Sequence, residues 1–503
     1  MTAPARTPAV MFQGTGSDVG KSLIVAGLSR LFARQGLAVR PFKPQNMSNN
    51  AAPAIAHEAG WGEIGRAQAL QARAAGLTPH TDMNPVLLKP QSDIGAQIIV
   101  NGRVTGNADA RAYHALKPSL LPSVLGAYKR LADDADIMLI EGAGSPAEVN
   151  LRAGDIANMG FAEAADVPVL LIGDIERGGV IAAFVGTWTL LPHDEQARLA
   201  GFIVNRFRGD PRLFDDALPI IHDHTGMASL GVLPWFDSAR DLPAEDTASL
   251  ADRYTGAGWS VADIRIAAPR LPRIANFDDL DPLAAEPDVA LRLVEPGDDL
   301  PADADLILLC GSKSTRSDLA ALRENGWAEQ ISEAARRGTH VVGICGGYQM
   351  LGHSVADPGG IEGTPGETAG LGLLDIETVM SNDKALASVT GVSPVTGDRV
   401  SGFEMHMGDT TGPGTARPML MIDDPGAPRP DGAQSADGRI SGTYVHGLFV
   451  SDDFRGNFLK RLYPARTKGS SWNQHIDVAL DRLADHIEEH IDTARILEIA
   501  RRT

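Results

Sequence analysis

Short apolar runs alternate along this chain with stretches whose apolar residues recur at helical spacing. Residues 9–12 (AVMF) read as a buried strand, and LIVAGLSRLFARQG, a few residues on, reads as an amphipathic helix ending at Gly36. The same rhythm continues through GLAVRPFKP, the strongly apolar residues 137–140, PVLLIGDIERGGV, LAGFIVNRFRGD and LGVLPW at residues 230–235. Strands that alternate with helices in this way predict a parallel sheet covered on both faces. The polar, turn-rich stretch 237–258 then reads as a linker. Beyond it the rhythm restarts in DIRIAAP, ALRLVEPGDD, DLILLCGSKSTRSDL and HVVGICGGYQMLG, and the alternating strand ISGTYVHGLF follows. Residues 472–503 form a long amphipathic helical pattern, suited to packing rather than to a site. The expected division is 1–236, a linker at 237–260, a second domain at 261–455 and a helical appendage at 456–503.

Composition narrows the picture. A chain of 503 residues is too long for one core, and 43% apolar with 22% charged residues is an ordinary globular balance. The net charge of -19 speaks against nucleic acid or an anionic membrane as the main partner. MTAPARTPAV lacks an apolar core of signal-peptide length, and no window approaches a membrane span. The two cysteines, Cys310 and Cys345, offer neither metal spacing nor a disulfide framework, so a cytoplasmic location is expected.

The strand, turn and helix around Cys345 carry the first chemistry. A nucleophile at the tip of such a turn is pushed out of the backbone, and the glycines of GICGG remove side chains that would clash there. The helix N-terminus favours a thiolate, and the Gly346 amide can serve an oxyanion. Gly311, just past another strand end, is expected to supply the second amide, with Cys310 beside it a packing residue. A nucleophilic cysteine needs a base. His446 ends a strand and leads; His406 in GFEMHMGDT is second.

The first domain carries a glycine-rich loop, GTGSDVGKS, between strand and helix. Gly14, Thr15, Gly16 and Gly20 would wrap amides around phosphates, with Lys21 reaching the β and γ groups and Ser22 reaching Mg2+. The loop has one more residue between its glycines than the standard pattern. Glu141 ends the apolar strand at 137–140, where a nucleotide-bound Mg2+ needs a carboxylate. The polar run QNMSNN follows Lys43-Pro44 on the side of a parallel sheet where ligands bind. Glu63, Gln68 and Gln71 lie around a helical segment, and Asp155 and Asn158 can add polar contacts.

At this point a resemblance emerges. GICGGYQMLG and VHG make residues 260–455 resemble a class I, triad-type glutamine amidotransferase, and residues 9–235 resemble the dethiobiotin synthetase-like ATP-binding fold with the same lengthened phosphate loop. Together with KPQNMSNN, EGAGSPAEVNL and DIANMG, the chain resembles the cobyric acid synthase family of the cobalamin pathway over nearly its whole length. The resemblance implies an α/β fold of two parallel-sheet domains, a P-loop domain followed by a flavodoxin-like amidotransferase domain. It implies a glutamine-hydrolysing amidoligase, using ATP and Mg2+, that amidates the b, d, e and g carboxylates of adenosylcobyrinic acid a,c-diamide. By similarity, Lys43 holds phosphate, Ser22, Glu141 and Glu63 form the Mg2+ site, and Asn205 meets the adenine. The corrinoid lies over loops 44–50 and 143–159, with Gln45, Asn46 and Asn158 as contacts. Many such amidotransferases carry a Glu two residues after the catalytic His, but here that position is Leu448. The third triad member is therefore unassigned, which leaves a Cys345/His446 dyad. Cobyrinic acid a,c-diamide synthase is the nearest alternative, and a partition-type ATPase with a degenerate glutaminase-like module is one of another class. The oligomeric state is left open.

Overall fold

The computed structural model describes residues 6–90, 95–244, 250–467 and 469–502. Two compact units emerge: Met1–Ser48, Ala54–Leu242 and Ile476–Thr503 form one, and Asn49–Pro53 with Pro243–His475 the other.

In the first unit, β1 (Ala9–Gly14) leads into α1 (Lys21–Arg34), β2 (Val39–Phe42), α2 (Arg66–Ala74) and the long α3 (Ala110–Ala132). Then come β3 (Ile137–Glu141), β4 (Val169–Asp174), α4 (Val180–Leu190), β5 (Leu199–Phe207) and β6 (Ala228–Pro234). The six strands form one parallel sheet in the order β6-β5-β4-β1-β3-β2. Every residue of β1, β3 and β4 is buried, as continuous apolar runs in a doubly covered sheet require. β1 lies between β3 and β4, so the loops leaving β1 and β3 share one edge of the sheet. The polar run after Lys43 is more ordered than a loop: Gln45–Met47 is a short strand paired in parallel with Val86–Leu88.

The second unit holds β7 (Ile264–Pro269), β8 (Val289–Val294), β9 (Leu306–Leu309), α5 (Thr315–Glu324), α6 (Trp327–Arg337), β10 (His340–Ile344) and α7 (Gly346–Met350). Its central sheet runs β8-β7-β9-β10 in parallel. A mixed sheet stands beside it, built on a long antiparallel hairpin of β11 (Glu377–Val392) and β12 (Arg399–Thr411). This sheet was not expected. Both ends of β11 alternate exposed and buried residues, the signature of a sheet with one wet face. The chain returns to the central sheet through β13 (Ala433–Gln434) and β14 (Ile440–Thr443), which pairs in parallel with β10, before β15 (Val445–His446) joins β12.

Part of the expected linker, residues 245–249, lies outside the described residues. The stretch 456–503 divides. Arg455 and Arg466 pair with the buried Glu286 of the second unit, while α8 (Trp472–His490), from Ile476 onward, and α9 (Thr493–Ala500) belong to the first. There a Cβ on Gly27 of α1 would lie 2.4 Å from Ile487 Cδ1 and 2.8 Å from Leu483 Cγ, so the glycine lets the two helices approach.

Candidate functional site

At the end of β10, Cys345 has φ 53° and ψ -109°, a conformation rarely adopted by a residue with a Cβ. Such strain costs on the order of 1–3 kcal/mol and persists only where the surroundings enforce it. Here Cys345 N donates to Thr443 O at 2.8 Å. A Cβ on Gly347 would fall 2.0 Å from Leu309 O, and one on Gly343 2.5 Å from the Gly347 carbonyl carbon, so α7 can fold this tightly against β9 and β10 only with glycines. The elbow expected from GICGG is present.

His446, at the end of β15, is only 1% exposed, and Cys345, whose Sγ donates to Met405 O at 3.6 Å, is close enough to act on its charge. Its Nδ1–H donates to Asp279 Oδ2 at 2.7 Å, and Gly447 N donates to Asp279 Oδ1 at 2.6 Å. Asp279 sits in a single turn, Phe277–Leu280, far upstream in the chain. It fills the orienting position that the sequence left open, so the dyad expectation is replaced by a line of three residues. Burial opposes a charged imidazole, but the Asp279 carboxylate and Cys345 together push its pKa up to about 10. His406 contrasts with it. Burial lowers its pKa to about 4, its ring stacks on Tyr444 at 3.6 Å, and its Nδ1 is buried without a hydrogen-bond partner.

Gly311 and Ser312 form a short strand against Ile274–Ala275. A Cβ on Gly311 would lie 2.9 Å from His446 Cε1, and one on Gly346 would lie 2.8 Å from Ser312 N. The backbone segments expected to hold an oxyanion therefore meet beside the base. Asp318 braces this strand: it accepts from Ser312 Oγ at 2.6 Å and from Arg273 N at 3.0 Å, and burial pushes its pKa up to about 6. Cys310 is buried, and burial drives its thiol pKa well up, which suits packing and not attack.

In the first unit, the loop after β1 is closed on itself. A Cβ on Gly14 would lie 2.6 Å from Gly16 O and 2.9 Å from Lys21 Nζ. Gly20 has φ 92° and abuts Asn205, and Thr15 N donates to Ile172 O at 2.9 Å. Lys21 Nζ donates to Gly16 O at 3.4 Å and Gly144 O at 3.2 Å. Glu141, fully buried at the end of β3, gathers the other polar groups. Its Oε1 accepts from Ser22 Oγ and pairs with Lys43 Nζ, both at 2.7 Å, and its Oε2 accepts from Gln71 Nε2 at 2.6 Å.

The remaining expected residues are placed as follows. Asn205 donates to Val19 O at 2.8 Å and accepts from Arg206 N at 2.8 Å, which fixes the phosphate loop. Gln45 accepts from Tyr113 Oη at 2.7 Å, and Asn46 Nδ2 donates to Gln68 Oε1 at 2.9 Å. Asn158 bridges Ala143 with both ends of its amide, and Asp155 accepts from the Ala157, Asn158 and Gly160 amides, so both shape the loop after β3. Glu63, expected as a metal residue, has a buried carboxylate that lies 2.8 Å from Lys89 Nζ. Among the described residues no group of three or more His, Cys, Asp or Glu side chains is arranged to hold a metal. A phosphate-bound Mg2+ does not need one, since it takes one or two protein ligands and fills the rest with water and phosphate. The hydroxyl of Ser22 and the carboxylate of Glu141 are hard oxygen donors that suit it.

A Cys-His-Asp line in one unit and a phosphate loop in the other define a glutamine amidotransferase joined to a nucleotide-binding unit. Residues 265–454 match the model of the CobB/CobQ-like glutamine amidotransferase domain, and residues 10–250 match that of the CobQ/CobB/MinD/ParA nucleotide binding domain. The cobyric acid synthase of Bradyrhizobium diazoefficiens is 56% identical over 98% of this chain and 99% of its own length. That of Methylobacterium nodulans is 57% identical over 99% of both chains. The chain belongs to the cobyric acid synthase family, and it is a glutamine-hydrolysing amidoligase.

Proposed function

We propose that the chain converts adenosylcobyrinic acid a,c-diamide to adenosylcobyric acid by amidating its b, d, e and g carboxylates with nitrogen from glutamine. The observation that carries this reading is the presence, in one chain, of the Cys345–His446–Asp279 line and the Lys21–Ser22–Lys43–Glu141 cluster. Cys345 attacks the side-chain amide of glutamine, and His446, oriented by Asp279, gives the leaving ammonia its proton. The Gly346 and Gly311 amides face the oxyanion. Water then hydrolyses the thioester.

At the other site, Gly14, Thr15, Gly16 and Gly20 cradle the ATP phosphates while Lys21 and Lys43 neutralise their charge. Bound Mg2+ would neutralise charge developing on the transferred phosphoryl group. Ser22 and Glu141, with Glu63 as a further carboxylate, would hold it. A carboxylate of the corrinoid is phosphorylated and ammonia displaces the phosphate. Gln45, Asn46 and Asn158 line the loops we assign to the corrinoid, and Asn205 borders the adenine. No helix of the described residues is long and apolar enough to cross a membrane, and we assign the enzyme to the cytoplasm.

The test is incubation of the purified chain with glutamine, MgATP and the diamide, with product masses read for successive amidations. Products carrying every one of the b, d, e and g amides are expected. Conversion of the a and c carboxylates of cobyrinic acid instead would select the a,c-diamide synthase. Lys21→Ala is expected to abolish product with either glutamine or ammonia, and near-normal amidation by it would remove the phosphate-loop assignment.

A further inference from the structure

One cation of the first unit stands beside the loops assigned to the corrinoid and has no role in the reaction as derived so far. Lys117 is half-buried about two turns into α3, and its Nζ lies over the Tyr113 ring, 5.6 Å from the centroid. Tyr113 is buried, and its phenol donates to Gln45 Oε1 at 2.7 Å, which ties this part of the helix to the 44–50 loop. Burial, and then the charge of Asp155, push the phenol pKa up, so Tyr113 stays a neutral donor. Close by on α3, a Cβ on Gly154 would lie 3.1 Å from Pro118 Cγ, which sets the helix against the 143–159 loop. At about 100° per residue, Lys117 falls about 40° round the helix from Tyr113, and Pro118 about 140° round in the same sense. Lys117 therefore projects from the arc of α3 that lies between the two loops. Among the described residues it forms no ion pair. The Asp155 carboxylate is taken up by the Ala157, Asn158 and Gly160 amides.

The same two loops expose large apolar side chains: Met47 is 61% exposed, and Val149 and Leu151 are 42% and 46% exposed. A single exposed apolar residue is ordinary, but three on otherwise polar loops that meet one helix make a surface suited to a flat apolar ligand.

We propose that Lys117 binds a carboxylate of the corrinoid other than the one being activated, and so seats the macrocycle with a single carboxylate at the phosphate. The inference rests on the corrinoid reading of the 44–50 and 143–159 loops. The face of the macrocycle covers Met47, Val149 and Leu151, and its rim carries several carboxylates, of which one reacts in each turnover. An aromatic ring offers an ammonium group far less than a carboxylate does, so Lys117 is positioned by Tyr113 without being satisfied by it. A chain with a net charge of -19 repels a polyanion in general, and a cation on the landing surface offsets that repulsion where the substrate must dock.

The experiment measures equilibrium dialysis of adenosylcobyrinic acid a,c-diamide against the full-length chain, and its steady-state amidation with MgATP and ammonium salt, which bypasses the glutaminase. Lys117→Met keeps an unbranched stem against Tyr113 and removes the charge. It is expected to raise both Kd and KM for the diamide about tenfold, the scale of one lost charge-assisted hydrogen bond, with kcat little changed. Lys117→Arg should stay close to the wild type. Raising salt to about 0.5 M should weaken binding by the wild type more than binding by Lys117→Met, because the variant has one ion pair fewer to screen. An unchanged Kd in Lys117→Met would overturn the proposal. So would equal losses in the Met and Arg variants, which would make Lys117 only a prop for Tyr113. A wild-type chain that neither bound nor amidated the diamide would sink the corrinoid reading instead.

Discussion

Strands β1 and β10 both end in a turn that runs into a helix, at residues 14–22 and at Cys345, yet the two turns are built on opposite principles. After β1 the turn is long and made of backbone, and the charges around it satisfy one another: Lys43 with Glu141, and Lys21 with the Gly16 and Gly144 carbonyls. On the function proposed here, a bound nucleotide would compete with those partners for the lysines. After β10 the turn is one strained residue, and the groups it needs are already aligned on it, down to the 2.7 Å bond between His446 and Asp279. A site that binds a ligand can afford to be self-neutralised until the ligand arrives, whereas a site that makes a covalent bond needs its acid, base and nucleophile in register beforehand.

The largest expected effect breaks the two sites apart. Cys345→Ala and Cys345→Ser should lose glutamine-dependent synthesis to below detection, because a serine hydroxyl lacks the low pKa of a thiol. Both should still amidate the corrinoid when ammonium salt is supplied at a pH that gives free NH3. Parallel loss with both nitrogen sources would mean that the elbow supports the fold and not the chemistry.

Smaller losses test the alignment itself. His446→Ala should reduce glutaminase activity by about a hundredfold or more, the usual scale for a general base. His406→Ala should lose far less, because burial holds that ring neutral with a pKa near 4. The opposite ranking would move the base to His406. Asp279→Asn should lower kcat by an intermediate factor and also move the pH profile. The raised His446 pKa, about 10, comes largely from the Asp279 charge, so the alkaline limb of the glutaminase profile should shift downward in the variant. An unmoved limb would show that the carboxylate does not hold the imidazolium.

How far these sites could be read from residues alone follows the same division. Cys345, His446, Lys21 and Ser22 each sit in a local pattern of strand end, glycine and helix start, and local patterns survive in one dimension. Glu141 could be placed because it directly follows four apolar residues. Asp279 could not. It lies in NFDDLDP, among several acids of identical appearance, and meets His446 only because Phe277–Leu280 and β15 converge in the folded unit. The partner of Glu63 was hidden for a related reason, since Lys89, 2.8 Å from it, is on another strand. The β11–β12 sheet leaves only a period-2 alternation at the two ends of β11, a weaker signal than the apolar runs of the parallel strands.

The next expected effect concerns stability within the first unit, where α8 packs on α1. Gly27→Val would place side-chain atoms where Leu483 and Ile487 now lie, and overpacking of this kind costs about 1–3 kcal/mol. The apparent melting temperature of this unit should fall while glutaminase activity at 25 °C, a property of the other unit, stays unchanged. A melting curve identical to that of the wild type would mean that the C-terminal helix is not docked on Gly27 in solution.

The smallest effect separates apolar packing from charge as the cause of that docking. Arg30 pairs with Asp481 at 2.8 Å, Arg34 with Asp485 at 2.7 Å and Arg73 with Asp477 at 3.2 Å, so α8 looks tied down by ions. All three pairs are partly or well exposed, however, and each is weakened by water, salt and the entropy of two long side chains. Arg30→Ala should therefore cost no more than about 1 kcal/mol, less than the methyl groups introduced at Gly27, and its effect should shrink further in 1 M salt. The apolar contacts of Leu483 and Ile487 should be insensitive to salt or slightly strengthened by it. Thermal unfolding of Arg30→Ala and Gly27→Val in low and high salt decides the matter: if the arginine variant is the more destabilised, and salt alone releases the helix, then charge and not packing holds α8 to the first unit.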